Sequence, residues 1–94
     1  MEDEPMTLRQ LNYFVSIVLS GSFSCAARRL GVAQSALSRQ IRMLEAEVGA
    51  PLLLRSGQGV ELTRQGRELL PLAREIDRLA RSARGVVIGS GPGV

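Results

Sequence analysis

A mainly α fold, made of three short helices, a small two-stranded β-hairpin and a long closing helix, is what this 94-residue sequence predicts. Three observations lead there. The chain is 45% hydrophobic, mostly Leu, Ala and Val, yet only 3% aromatic, which suits packed helices better than a β-sandwich. Apolar residues recur at three- and four-residue steps in several segments. Glycines at 21, 31 and 49 stand where those repeats stop, as helix-closing residues do.

Taken in order, Glu2, Asp3 and Glu4 stand together before Pro5 and read as a disordered acidic tail over residues 1–6. Thr7 with Gln10 has the form of a capping box, opening a helix in which Leu8, Leu11, Phe14 or Val15, and Val18 form the apolar stripe, up to Gly21. Ser22 can cap a second, short helix with Phe23, Ala26, Ala27 and Leu30 as its inner face. The turn Gly31-Val32-Ala33 leads into a third helix, where Leu37, Ile41, Leu44 and Val48 fall one above another. That helix should end at Gly49, since Pro51 prevents a simple continuation.

Two apolar runs, Leu52 to Arg55 and Val60 to Leu62, flank Ser56-Gly57-Gln58-Gly59 and read as a hairpin. Thr63 can cap the last helix. Its Leu69, Leu72, Ile76, Leu79 and Ala83 step by 3, 4, 3 and 4 residues, the inner seam of a coiled coil. The preceding elements would already form a closed unit with few surfaces left for this stripe, so it reads as a dimerisation seam rather than an inward face. Pro71 inside the helix predicts a kink or a local break near Leu70. After Arg84, "GVVIGSGPGV" reads as a short strand-like run and a Gly/Pro cluster, the start of a further domain or a flexible tail. Its glycines lack the following helix that a phosphate loop needs.

The formal charge is +3, and setting the acidic tail aside leaves six carboxylates against twelve arginines, a balance that points to a polyanionic partner. Charge alone leaves DNA, RNA and a membrane surface open. One cysteine, Cys25, and no histidine exclude an internal disulfide, an ordinary zinc site and the usual nucleophile–base pairs, so no enzyme is expected. Cys25 reads as an inert thiol at an outward position. The apolar stretch Phe14 to Leu19 is broken by Ser16, so no membrane span or signal peptide is expected, and a cytoplasmic location is.

The third helix carries the functional signal. Opposite its leucine ridge, Ser35, Ser38, Arg39 and Arg42 share roughly a third of the circumference, with Gln34 at the amino end and no carboxylate among them. A short helix, a glycine turn and a helix with such a face make a helix-turn-helix, whose second helix fits the major groove. Short polar residues and arginines there can reach base edges and phosphates.

The stretch from Thr7 to Ala83 resembles the DNA-binding region of LysR-type transcriptional regulators. "L-x-x-F" at Leu11 to Phe14, "GSFSCAARRLGVAQSALSRQI" from Gly21 to Ile41, and "LLLR" leading to "LTRQG" at Leu62 to Gly66 carry the resemblance. It implies a winged helix-turn-helix over 7–62, a linker helix over 63–84 that pairs two chains, and an effector-binding domain beginning in 85–94. Two recognition helices would then read an interrupted inverted repeat in double-stranded DNA, through Gln34, Ser35, Ser38, Arg39 and Arg42. The amino end of the Ser22 helix would meet phosphate, Arg55 and Gln58 the backbone or the neighbouring minor groove, and Arg64 a further phosphate. No cofactor is implied in this chain; a small-molecule effector would bind the absent C-terminal domain. A higher oligomer of the full-length protein and RNA polymerase are further partners the resemblance allows.

The sequence departs from the family pattern at Ala33, where a capping Ser or Thr is usual, and at Gln58, where Arg or Lys is common. Leu53 and Leu54 replace the more frequent Phe and polar residue, leaving Leu54 as an exposed apolar side chain that could seek a partner surface. Two alternatives stand beside this reading: a winged helix of the molybdate-responsive regulators, and a helical protein-interaction module whose arginines only solubilise the surface.

Overall fold

The computed structural model of the chain describes residues 6–57 and 59–90, the last four as backbone only. The acidic residues Glu2, Asp3 and Glu4, the wing residue Gln58 and the Gly/Pro cluster at 91–94 lie outside the described residues. The order of elements is α1 (Leu8–Ser20), α2 (Phe23–Leu30), α3 (Gln34–Val48), β1 (Leu53–Ser56), β2 (Gly59–Leu62) and α4 (Arg64–Ser90).

The expected capping box opens α1: Thr7 Oγ1 accepts from the Gln10 N–H at 3.0 Å, and Gln10 Oε1 accepts from the Thr7 N–H at 3.2 Å. Ser22 caps α2 in the same way, accepting from the Cys25 N–H at 3.0 Å. Gly21, Gly31 and Gly49 close α1, α2 and α3 in the left-handed conformation.

Phe14, Ile17, Leu37, Leu44 and Leu52 are fully buried and join Leu11, Ala26, Ile41 and Ala73 in one core. Two positions expected inside are outside. Leu8 is exposed at the first turn of α1, while Ile17, outside the expected stripe, is fully buried. Val48 is exposed in the last turn of α3, where the chain turns away through Gly49.

The hairpin is antiparallel, pairing Leu53 with Leu62, Leu54 with Glu61, Arg55 with Val60 and Ser56 with Gly59. Leu52 belongs to the junction, not to the strand as the apolar run suggested, because its backbone groups are engaged elsewhere. Its N–H goes to the Glu45 carboxylate at 2.8 Å and its carbonyl accepts from the Thr63 N–H at 3.0 Å. Two close approaches seat the hairpin. A Cβ on Gly59, which has φ +127°, would lie 2.6 Å from the Gly21 carbonyl oxygen, and one on Gly66 would lie 2.2 Å from that of Leu52. Only glycine lets these backbones meet.

Helix α4 corrects the sequence reading in three respects. It runs unbroken through Pro71, so of the expected kink or local break the break near Leu70 is absent. The proline forfeits one backbone hydrogen bond on an exposed side, while Leu70 and Ala73 hold the helix to the core on either side of it. It also continues to Ser90, beyond the expected boundary at residue 84, so Val86 and its neighbours are helical rather than strand-like. Extending a helix adds a hydrogen bond for each residue fixed, whereas a lone strand has no partner.

The third correction concerns the apolar stripe, which is divided between two faces. Leu69 and Ile76 pack with Ala73 against the domain's own core, chiefly against α1, where Asn12 Nδ2 donates to Asp77 Oδ1 at 3.1 Å. Leu72 and Leu79 point to solvent, 61% and 52% exposed, as do Ala83 and, one heptad on, Val86 at 67%. The closed unit does have a surface for this helix. The outward remnant is a narrower ridge at seven-residue spacing.

Candidate nucleic-acid interface

Helix α2, the Gly31 turn and α3 form the helix-turn-helix. The Gly31 and Val32 N–H groups fold back onto the last carbonyls of α2, Val32 reaching Ala27 at 3.0 Å. Helix α3 then starts from Ala33, whose backbone is extended but whose side chain offers no cap, so the amide donors of the first turn have no side-chain partner from that residue. No acidic residue stands in that turn. The amino end of α3 therefore keeps its positive field.

Burying Leu37, Ile41 and Leu44 turns Gln34, Ser35, Arg39 and Arg42 outward, and all four are exposed. Ser38 shares their face but is half-buried. The three ion pairs among the described residues, Arg64–Glu68, Arg78–Glu75 and Arg81–Asp77, all lie along α4. Arg39 and Arg42 are in none of them, so their charge is available to an external anion.

The remaining expected contacts are distributed around this helix. Arg55, on β1, places its guanidinium over the Phe23 ring, 3.7 Å from the centroid, and donates to Ser38 Oγ at 2.6 Å. The hairpin is thereby tied to α3, with a cleft of about 200 Å³ between them whose lining includes Phe23, Ser38, Arg42, Arg55 and the acidic Glu45. Ser22 spends its oxygen on its own helix. Arg64, at the start of α4, is exposed and paired with Glu68 at 3.1 Å, so a phosphate there would compete with a carboxylate. Further along α4, the hydrogen bond from Arg78 holds the Glu75 carboxyl below its ordinary range. Cys25 is half-buried rather than turned fully outward.

Sequence reasoning missed two residues here. Glu45 accepts the Leu52 and Leu53 N–H groups and so fixes the hairpin to the end of α3. Gln10, buried in α1, donates to Gln40 Oε1 at 3.3 Å and braces α3 from behind. Both contacts join residues remote in sequence or across a turn of unknown geometry, and apolar periodicity carries no trace of them. Among the described residues no cluster of His, Cys, Asp and Glu could hold a metal, and no helix is long and apolar enough to cross a membrane.

Comparison with known proteins places these features in a family. Residues 8–67 match the family described as bacterial regulatory helix-turn-helix protein, lysR family. The HTH-type transcriptional regulator TfdT of Cupriavidus pinatubonensis (strain JMP 134 / LMG 1197) is 45% identical over 80 residues, covering 84% of this chain and 35% of TfdT. The chain thus spans about a third of that relative's length. Among solved structures, the CbnR_DBD–DNA complex aligns with a TM-score of 0.81 at 40% identity, over 90% of this chain and 98% of that one. The BenM_DBD/catB site 1 DNA complex aligns with a TM-score of 0.83 at 39% identity, over 92% and 99%.

Proposed function

The chain belongs to the LysR family of bacterial regulatory helix-turn-helix proteins, and from that premise we propose that it binds double-stranded DNA sequence-specifically to control transcription. Membership decides for this family over the molybdate-responsive regulators. Helix α3 enters the major groove with Gln34, Ser35, Ser38, Arg39 and Arg42 toward base edges and flanking phosphates. The start of α2 at Ser22 and Arg64 lie along the backbone, and Arg55 reaches α3's readout face from the wing. Two chains pair through the outward ridge of α4 and read an interrupted inverted repeat. In the whole regulator a small-molecule effector binds a separate domain, the protein works in the cytoplasm, and RNA polymerase is a partner.

The observation that carries this reading is the outer face of α3, where Gln34, Ser35, Arg39 and Arg42 are exposed and neither arginine is in an ion pair among the described residues, next to a wing docked on the same helix. The CbnR and BenM DNA-binding domains that align with this chain were solved as DNA complexes, which supports the same use of the face here.

Titrating duplex DNA with this chain at rising salt tests the proposal. Phosphate contacts release counterions, so affinity should fall steeply with salt, whereas a protein-interaction module would give no such dependence and would sink it. Arg39→Ala should then cost ~1 to 3 kcal/mol on the preferred sequence and relax preference at one base pair. An equal loss on random duplex would make Arg39 a phosphate contact.

A further inference from the structure

Of the five readout residues on α3, Ser38 is the one that is not fully exposed, and its hydroxyl accepts a hydrogen bond from Arg55. The guanidinium sits over Phe23, which is buried at the first turn of α2, and its backbone is held in the hairpin by pairing with Val60. Three elements therefore converge on one hydroxyl. A serine hydroxyl has one O–H to donate and two lone pairs to accept with. Here a cationic donor occupies one lone pair at 2.6 Å. It polarises the oxygen, which makes the O–H a stronger donor and the remaining lone pair a weaker acceptor. Arginine can stack on the ring and donate sideways at once. Lysine carries the same charge but cannot do both.

We propose that Arg55 is a positioning residue for base readout: it fixes the Ser38 hydroxyl and commits it to donating. Ser38 then favours a base-edge acceptor, N7 or O6 of guanine, N7 of adenine or O4 of thymine, and disfavours the amino groups of cytosine and adenine. This deepens the DNA-binding reading above and rests on it.

The test begins by selecting preferred duplexes from a random pool with the wild-type chain, then measures binding of wild type, Arg55→Lys, Ser38→Ala and the double variant to single-base variants of that site. Arg55→Lys should lose about 3- to 10-fold discrimination at one base pair, the worth of a hydrogen bond, with an unchanged salt slope. Ser38→Ala should lose discrimination at the same pair, and the double variant no more than Ser38→Ala alone. If Arg55 instead touches phosphate, lysine replaces it as a point charge and Arg55→Lys will keep the wild-type preference, which overturns the positioning role. Losses at different base pairs, or losses that add in the double variant, overturn it as well. A wild-type chain that selects no sequence overturns the DNA-binding reading itself, and this inference with it.

Discussion

Glu45 and Leu52 are joined across the bend that follows α3: the carboxylate Oε2 accepts the Leu52 N–H at 2.8 Å and, on the same oxygen, the Leu53 N–H at 3.2 Å. One side chain thus ties the last turns of the readout helix to the start of the hairpin. Hydrogen bonds to a charged acceptor contribute about 1.5 to 3 kcal/mol, so Glu45→Ala should lower unfolding stability by ~2 kcal/mol in a urea titration. Glu45→Gln, which keeps an acceptor oxygen without the charge, should lose less. Equal losses for the two variants would mean that packing, and not the carboxylate, holds the junction.

Gly66 and Gly85 both lie in α4 but meet different surroundings. A Cβ at Gly66 would collide with the Leu52 carbonyl at 2.2 Å, while one at Gly85 meets nothing within 4 Å. Gly66→Ala should therefore destabilise by at least ~1 to 3 kcal/mol through overpacking. Gly85→Ala should stabilise by up to ~1 kcal/mol, the helix-propensity difference. Thermal melts of the two variants should move in opposite directions; a shared direction would refute the contact at Gly66.

Ala33 has the extended backbone of a helix cap without a capping group. Ala33→Ser should supply the missing acceptor and raise stability by about 1 kcal/mol. For a domain this small, that corresponds to a melting temperature ~4 to 8 °C higher. An unchanged melt would show that the open amides of the first turn are already satisfied.

The division of the α4 stripe separates two kinds of variant. Leu79→Asp alters an exposed position, so it should yield monomers in sedimentation while leaving the melt of the domain nearly unchanged. Ile76→Asp, packed against the core, should destabilise the fold as well as any dimer. If Leu79→Asp sediments like the wild type, the proposed pairing uses another surface.

Much of this architecture could be read directly from residue patterns. Thr7 with Gln10, Ser22 and the closing glycines are local signals, carried by residues three or four apart, and each marked a helix end that the structure contains. Leu37, Ile41 and Leu44 set the orientation of α3 and thereby turned Gln34, Ser35, Arg39 and Arg42 outward. What stayed hidden depends on tertiary neighbours. A 3,4 repeat says that Leu69 and Leu79 lie on similar sides of a helix, but not that α1 covers the first and leaves the second bare. Likewise, nothing local to Arg55 says that Phe23 lies beneath it, because that pairing depends on how β1 is laid against α2.

Thr63 makes a joint without slack. Its hydroxyl accepts the Gly66 N–H at 2.9 Å, capping α4, and donates to the Pro51 carbonyl at 2.7 Å, while its own N–H is held by Leu52. A helix of 27 residues is about 40 Å long at 1.5 Å per residue, and this one is seated on the core as far as Ile76 and Asp77. Beyond those residues it projects as a free arm, so a push on its far end is felt by α1 before it reaches the hairpin.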